Sequence, residues 1–261
     1  MDNLRKIGVV VHQTDVDNAG QVRVTLAPHV GGSVDGIIEQ GLPEAPTVRH
    51  IAEFKTHSRK SFEELVKKGV FDAHRRHWCQ MQCYMLGTGI DWAFYMAVCK
   101  DDDRLYTERV PFQKETAEMI VKRGARIALA ERMPDPLSHN ASWYQCKMCP
   151  FWTFCHDTHL TRELNCRTCS HVTPTAEGAW RCEFFRSSLS YEAQLAGCAS
   201  HVFHPDLTPW VFLGGDDTGR CGLFEIDGKR LYNGSAEYAL TSKQLLEGVR
   251  AVPENQGGCP F

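Results

Sequence analysis

The chain has 261 residues, of which 43% are hydrophobic and 23% charged, a composition typical of soluble globular proteins and not of disordered or fibrous ones. Its 29 basic and 32 acidic residues give a net charge of −3, so the chain as a whole lacks the basic character of many nucleic-acid-binding proteins. No apolar run approaches the roughly 20 residues of a membrane-spanning helix, and the first residues, MDNLRKIGVVVH, lack the apolar region of a signal peptide. We therefore expect a cytoplasmic protein with one large or two ordinary domains and no membrane partner.

Hydrophobic periodicity predicts a mixed α/β (α+β) fold. Strands are predicted at 7–11, 21–26, 34–38, 48–54, 92–100 and 105–110, with a turn at 17–20 and helices at 61–68, 77–86 and 113–130. Ser61 and Glu64 have the spacing of a capping box, which predicts that Ser61 caps the first of these helices. Three short strands at 210–213, 221–226 and 229–232, a helix at 241–250 and a disordered tail at 253–261 complete the prediction.

An acidic pair and a lysine lie in or directly after two successive predicted strands. Asp35 lies in the first strand, Glu53 closes the second, and Lys55 follows two residues later, on the same strand face as Glu53. If the two strands pair as a hairpin, Asp35 comes within reach of both. Such a group suits metal-assisted attack of water on a phosphodiester, because carboxylates hold Mg²⁺ and an ammonium stabilises the developing negative charge. The alternative is an exposed hairpin that carries a structural ion pair.

A second pair of polar residues follows on the helix predicted at 77–86. Gln80 and Tyr84 are four residues apart and therefore project from the same helix face. The alternative is a half-buried amphipathic helix in which Met81, Tyr84 and Met85 belong to the core, and both interpretations can hold together.

The pattern D-(17 residues)-E-x-K followed by Q-x-x-x-Y resembles the PD-(D/E)XK nuclease superfamily, in its RecB-like and lambda-exonuclease-like branch. The resemblance covers residues 21–156 and implies a core with a mixed central sheet flanked by helices. It implies an active site in which Asp35, Glu53 and the Phe54 carbonyl bind Mg²⁺ or Mn²⁺, Lys55 orients the water, and Gln80 and Tyr84 support the site. Larger members carry a helical segment before the first site strand, whereas here about 30 residues precede Asp35 and are predicted as strands.

The resemblance further implies a magnesium-dependent DNA nuclease, with exonuclease action in recombination, repair or DNA processing as the expected mode. DNA is then the expected partner, a recombination or annealing protein and oligomerisation are further expectations, and a phage origin would place the protein in the host cytoplasm. Two alternatives stay open. One is a non-catalytic module that binds nucleic acid or protein on a nuclease fold with structural zinc, and the other is an electron-transfer protein built on an iron–sulfur cluster.

Charge is concentrated beside the acidic pair. Residues 49–76 hold eight Lys or Arg and four acids, a local balance of +4, which suits the phosphate backbone of DNA. The basic residues predicted to contact DNA are Arg59, Lys60, Arg75 and Arg76. The alternative is a solvated helix face.

Twelve cysteines are many for a chain with no export signal, and their spacing is typical of metal ligands. The first cluster is Cys146, Cys149 and Cys155, with His156 or His159 completing a Cys₃His zinc site. Its position and spacing also resemble the cysteine triad that holds a [4Fe–4S] cluster in RecB-like and CRISPR-adaptation nucleases. In those proteins the fourth cysteine lies upstream of the catalytic sheet, where this chain has none.

The second cluster has zinc-ribbon spacing. Its predicted ligands are Cys166, Cys169, Cys182 and Cys198, with His201 as the substitute. A metal would stabilise this region because 160–210 is too short for much of a core. Cys79, Cys83 and Cys99 are predicted to pack in the core, and Cys221 and Cys259 have no assignment. The predicted organisation is a nuclease core at 1–140, a Cys-rich metal-binding region at 141–205 and a small β appendage at 206–261.

Overall fold

The computed structural model describes residues 1–13, 20–157, 159–216 and 219–250. Contacts divide the chain into two compact units, Met1–Ala128 and Leu129–Phe261. Most of the turn predicted at 17–20, and the whole tail at 253–261 with Cys259, lie outside the described residues. In the part of the chain that the structure describes, no helix is long and apolar enough to cross a bilayer.

The first unit combines one mixed sheet, one hairpin and flanking helices. Its helices are α1 (Asp2–Lys6), α2 (Arg59–Ala73), α3 (Arg75–Thr88) and α4 (Lys114–Ala128). Its strands are β1 (Val10–His12), β2 (Arg23–Ala27), β3 (Val30–Ser33), β4 (Gly36–Gln40), β5 (His50–His57), β6 (Trp92–Cys99) and β7 (Leu105–Pro111). The mixed α/β class predicted from the sequence is confirmed.

The sheet of the first unit has the strand order β1-β4-β5-β6-β7. Its β5–β6 pair is parallel and its other pairs are antiparallel. Parallel neighbours need a long crossover connection, and α2 and α3 form the one between β5 and β6. Strands β2 and β3 form a separate hairpin.

Different cores cover the two faces of this sheet. Ile51 and Tyr95 belong to a core that includes residues of α2 and α3, whereas Ala52 and Phe94 pack with Leu4 of α1. Because side chains alternate along a strand, the odd-numbered residues of β5 face α2 and α3. The candidate catalytic residues on β5 therefore lie under these helices.

Helix α2 differs from its prediction at both ends. It begins at Arg59 with Ser58 as N-cap, so the prediction that Ser61 caps it was wrong, and Ser61 lies inside the first turn. The strand β5 runs to His57, which leaves only Ser58 to bridge strand and helix. At Gly69 the backbone is non-helical, with φ of 75°, and the freed N–H of Val70 donates to the Glu108 carboxylate at 2.8 Å.

The N-terminal strand prediction was also partly wrong. The strand expected at 7–11 begins at Val10, because residues 2–6 form the short helix α1, which buries Leu4. The strand expected at 34–38 begins at Gly36, which places Asp35 just before it. The strands predicted at 92–100 and 105–110 and the helix predicted at 113–130 are confirmed within two residues at each end.

The second unit consists of short elements. Its helices are α5 (Tyr144–Lys147), α6 (Trp152–His156), α7 (Tyr191–Ala196) and α8 (Ser242–Arg250), with turns of 3₁₀ helix at Cys166–Thr168 and Pro205–Leu207. Its strands are β8 (Val172–Pro174), β9 (Trp180–Cys182), β10 (Ser187–Leu189), β11 (Val211–Gly215), β12 (Cys221–Ile226) and β13 (Lys229–Gly234). They form two three-stranded sheets, β10-β9-β8 and β11-β12-β13. Its main apolar core includes Phe203, Phe224 and Leu245.

Candidate active site

The β4–β5 hairpin brings Asp35, Glu53 and Lys55 together. Gly36 pairs with Ala52, so Asp35, one residue before Gly36, lies beside Glu53, one residue after Ala52. The Phe54 N–H donates to Asp35 Oδ2 at 2.8 Å, which fixes that carboxylate against β5. Lys55 shares the strand face of Glu53, and its ammonium donates to Glu53 Oε1. The arrangement required by the sequence hypothesis is therefore present.

The carboxylate of Glu53 is buried and has only part of its hydrogen bonds satisfied. Its side chain is fully buried, and its Oε2 has no hydrogen-bond partner. Burial raises the pKa of Glu53, Lys55 lowers it in opposition, and Asp35 raises it further. A buried carboxylate oxygen without a donor is costly, so this site favours a cation in addition to the lysine.

These residues fit a magnesium ion chemically. Mg²⁺ keeps several waters and needs only one or two carboxylates from the protein. Asp35 and Glu53 supply these, and the Phe54 carbonyl follows Glu53 directly in sequence. Within the described residues, no three His, Cys, Asp or Glu side chains form a group that could hold a metal by themselves. A metal here would depend on the carbonyl and on water for its remaining ligands.

Gln80 and Tyr84 contact each other on α3, as their spacing predicts. Gln80 Nε2 donates to Tyr84 Oη at 3.3 Å. Tyr84 is mostly buried and lies against Gly32 in β3. A Cβ atom added at Gly32 would stand only 2.6 Å from the Tyr84 hydroxyl oxygen. Among the described residues, neither side chain forms a hydrogen bond with the three site residues. Of the two, Tyr84 lies against β3, the strand that leads into Asp35, and Gln80 contacts it through Tyr84.

The four cations predicted to contact DNA lie on α2 and α3: Arg59, Lys60, Arg75 and Arg76. Two of them are partly neutralised, because Arg59 lies 3.7 Å from Asp102 and Arg75 lies 3.9 Å from Asp72. Lys60 and Arg76 form no ion pair with the rest of the described chain. These two are the cations of the set that remain available to a phosphate.

Sequence reasoning missed a second basic group, on α4. Lys122, Arg123 and Arg126 line an open cavity of about 440 Å³ together with Met119, and among the described residues they have no ion-pair partner. The signal was present in their spacing, since residues at i, i+1 and i+4 lie on one side of a helix. Unpaired cations concentrated on one helix attract polyanions.

The sequence hypothesis also missed a group of histidines next to Lys55. His57 lies on the same face of β5 as Glu53 and Lys55, and its ring stacks on that of His74, with centroids 4.3 Å apart. The His77 ring stacks 5.1 Å from His74, and Tyr95 on β6 bonds to His57. His57 could have been found by the two-residue period of β5, but the approach of α3 was not visible in the sequence.

The first cysteine cluster converges on one small cavity. Cys146, Cys149, Cys155 and His156 line this cavity of about 40 Å³, together with apolar residues. His156 Nε2 is buried and has no hydrogen-bond partner. His159 is absent from this lining, and its ring lies 3.6 Å from that of Phe154. Of the two histidines predicted as the fourth ligand, His156 is the one beside the thiols.

The thiols of the second predicted cluster influence one another electrostatically, although within the described residues no three of them form a group that could hold a metal. Burial raises the pKa of the Cys166 thiol, and Cys198 and Cys182 raise it further, so these sulfurs lie within electrostatic reach. Burial also raises the pKa of Cys169 to about 11, with smaller contributions from Cys198 and Cys166. Backbone hydrogen bonds from Val202 and His171 to the Cys169 sulfur lower its pKa and so oppose the effect of burial. Backbone donors to sulfur are the outer-shell contacts that tune metal-bound thiolates.

His201 has a different environment from the four cysteines. Its Nε2 lies 3.1 Å from the Thr168 hydroxyl and its Nδ1 lies 2.8 Å from that of Ser242. Both ring nitrogens are thus occupied by hydrogen bonds. Of the three cysteines predicted to pack in the core, Cys99 is buried within it, Cys79 packs against it, and Cys83 is partly buried.

Comparison with protein families and with curated proteins identifies no relative of this chain. A solved structure described as "Crystal structure of SSO0001" is 18% identical, with a TM-score of 0.38, over 59% of this chain and 64% of that chain. The match thus spans less than two thirds of that protein's length, and we base neither fold nor function on it.

Proposed function

We propose that the chain is a divalent-metal-dependent DNA nuclease of the PD-(D/E)XK type, with RecB-like exonuclease action as its mode. The observation that carries the proposal is the buried, unpartnered Oε2 of Glu53, beside Asp35 and next to the Lys55 ammonium. A fully buried acid with a free acceptor is poorly suited to a purely structural ion pair. It is suited to a site that receives a cation.

Each residue has a role in phosphodiester hydrolysis. Asp35, Glu53 and the Phe54 carbonyl would hold Mg²⁺ or Mn²⁺. Bound there, the ion would polarise a phosphoryl oxygen and acidify a water. Lys55, bonded to Glu53 on the same strand face and partly exposed, orients the attacking water and stabilises negative charge on the phosphoryl oxygens. Gln80 and Tyr84 support the backbone that carries Asp35.

The unneutralised cations supply the binding surface for DNA. Lys60 and Arg76 lie on the two helices that cover the site, and the α4 cations lie on the same unit. Contacts from lysine and arginine to phosphates are independent of sequence and release counterions. The surface therefore suits an enzyme that degrades DNA without reading its bases.

For the Cys-rich region we propose structural metals. Cys166, Cys169, Cys182 and Cys198 would hold zinc, because their spacing is that of a zinc ribbon and three of the four are buried. Cys146, Cys149, Cys155 and His156 would hold a second zinc, or the three cysteines would hold a [4Fe–4S] cluster with another ligand. Brown absorbance with bound iron would identify the cluster, and a colourless protein with bound zinc would identify the zinc site.

The nuclease is tested by cleavage of end-labelled linear and circular DNA with Mg²⁺ or Mn²⁺. Wild type is compared with Lys55→Ala and with Lys6→Ala, which changes an exposed lysine of the same unit. We expect ion-dependent degradation by wild type and Lys6→Ala and none by Lys55→Ala, with linear DNA degraded in preference to circles. Intact DNA binding without cleavage in all three proteins would instead assign the chain to the non-catalytic binding module.

A further inference from the structure

Five side chains next to Lys55 are joined end to end by hydrogen bonds. His77 Nδ1 lies 3.0 Å from Tyr95 Oη, and Tyr95 Oη lies 2.9 Å from His57 Nε2. His57 Nδ1 lies 3.0 Å from Ser61 Oγ, and Ser61 Oγ lies 3.3 Å from His74 Nε2. We call this series the histidine chain. It alternates imidazoles with hydroxyls, and each hydroxyl has an imidazole on either side.

The fold places this series against the candidate active site. Tyr95 is fully buried and is paired in register with Glu53 across the parallel β5–β6 pair. His57 is two residues beyond Lys55 on the same strand face and is also buried. The members come from β5, α2, α3 and β6, so tertiary packing alone assembles them. A buried polar network of this length is costly unless every member is satisfied.

We propose that the histidine chain is a reversible proton wire between the reacting oxygens of the Lys55 site and solvent at the partly exposed His74. The proposal rests on the nuclease function and assigns these side chains a part in its proton transfers. His77 is the inner end, because its ring stacks on that of Tyr95, with centroids 5.9 Å apart, and Tyr95 pairs in register with Glu53.

Hydrogen-bond directions give the wire two states. Tyr95 and Ser61 each have one proton, so each donates to one imidazole and accepts from the other. If Tyr95 donates to His77, it accepts from His57 Nε2, and Ser61 then donates to His57 and accepts from His74. All three histidines are then protonated at Nε2. In the reverse direction all three are protonated at Nδ1. The histidines therefore share one tautomer and change together.

The two states balance the protons of hydrolysis. In the Nδ1 state, His77 Nε2 has a free lone pair and takes a proton as the water O–H bond breaks and the new O–P bond forms. Each inner proton moves one place along the wire, and His74 Nδ1–H is released to solvent, which leaves the Nε2 state. When the bond from phosphorus to the leaving oxygen breaks, His77 Nε2–H gives that oxygen its proton. A proton entering at His74 Nδ1 then restores the Nδ1 state.

The surroundings of His77, His57 and Tyr95 favour their uncharged forms, as this transfer requires. Burial lowers the pKa of His77 to about 4, and Lys55, His74, His57 and Arg76 contribute in the same direction. Burial also lowers the pKa of His57, as do His74, Lys55 and Lys100. Burial raises the pKa of Tyr95, and the nearby acids Glu53 and Glu108 raise it further. A neutral imidazole can accept a proton from water, whereas an imidazolium cannot.

The tautomers are tested in the intact chain by nitrogen-15 NMR of labelled histidines, without DNA. We expect His57, His74 and His77 to show one common tautomer, Nε2–H or Nδ1–H. Tyr95→Phe should uncouple His77 from the other two, and Ser61→Ala should uncouple His74. Tyr106→Phe removes a hydroxyl that bonds to Glu108 at 2.6 Å and should change none of them. Mixed tautomers in wild type, or coupling that survives Tyr95→Phe and Ser61→Ala, would overturn the wire.

The transfer itself is tested by DNA cleavage. Losing a proton-transfer path costs about 10²-fold in rate, so Tyr95→Phe should lower kcat by that order with KM unchanged, while Tyr106→Phe keeps the wild-type kcat. His77→Ala should lose activity and regain part of it with added imidazole, because imidazole replaces the missing end of the wire. Unchanged kcat in Tyr95→Phe would overturn the transfer role while the nuclease stands. Equal inactivity of wild type and Lys55→Ala would instead refute the nuclease, whatever the tautomers show.

Discussion

Replacing Lys55 by methionine tests the electrostatics of the site without any substrate. The substitution keeps the aliphatic stem and removes the only cation bonded to Glu53 in the described chain. Glu53 is then a fully buried carboxylate with no charged partner. Removing one member of a buried pair costs about 3–5 kcal/mol. Since the Lys55 side chain is 26% exposed and partly screened by water, we expect the lower end, about 3 kcal/mol at pH 8.

The loss of stability should depend on pH with a definite sign. Without Lys55, burial and Asp35 still raise the pKa of Glu53, and the contribution that lowered it is gone. A carboxyl group whose folded pKa is raised is favoured when protonated, so its cost is absent below the unfolded pKa and grows as the pH rises through the folded pKa. The difference between wild type and Lys55→Met should therefore be largest at pH 8 and shrink toward about pH 4.3, the ordinary value for glutamate.

Magnesium should compensate for the missing ammonium. An ion that binds only the folded state adds about 2.7 kcal/mol at a concentration of 100 Kd. Denaturant unfolding from pH 5 to pH 8, with and without Mg²⁺, measures both effects. Lys6→Met is the matched control, and as an exposed site it should change stability by less than about 0.5 kcal/mol. A pH-independent loss in Lys55→Met, or no effect of Mg²⁺ on either protein, would refute the proposed state of Glu53.

Three further outcomes are expected. Because burial raises the pKa of Glu53, protons compete with the metal at a higher pH than they would at an ordinary carboxylate. The Mg²⁺ affinity measured by calorimetry should therefore fall as the pH is lowered from 8 toward 5. A constant affinity would contradict this. Cys182→Ser should remove one zinc per chain by elemental analysis and destabilise the second unit, whereas an unchanged zinc content would exclude Cys182 as a ligand. Gly69→Ala should destabilise the first unit by about 1 kcal/mol because Gly69 has φ of 75°. Gly124 lies in helix α4, where a Cβ would make van der Waals contact with Val30, so Gly124→Ala should stabilise the unit by about 0.5–1 kcal/mol. Equal effects of the two substitutions would disprove the backbone explanation.

Local sequence determined the frame of the candidate site. The two-residue period of a strand puts Glu53 and Lys55 on one face whatever the rest of the chain does. The hairpin follows from two apolar runs separated by a turn region, and it brings Asp35 to Glu53. The four-residue spacing of Gln80 and Tyr84 produced their contact in the same way. Each of these results depends on residues that are neighbours in one element or in two adjacent strands.

Local signals were ambiguous where two competed. Ser58 and Ser61 both suit a helix N-terminus, and the extension of β5 to His57 decided for Ser58. Ser61 thereby became available to bond with two histidines instead of with its own helix. The strand at 7–11 was misplaced because an apolar run of five residues fits a strand or a short helix end equally well.

Tertiary structure alone decided the features on which the proposed function depends. The complete burial of Glu53, the unpartnered Oε2 and the hydrogen bond between His57 and Tyr95, 38 residues apart, arise from how α2 and α3 cover the sheet. The cysteine spacing predicted metal ligands, but the choice of His156 over His159 required the cavity. Periodicity fixes which way a side chain points from its own element. The partners and the dielectric that it meets come from elements distant in sequence, and those set its charge and chemistry.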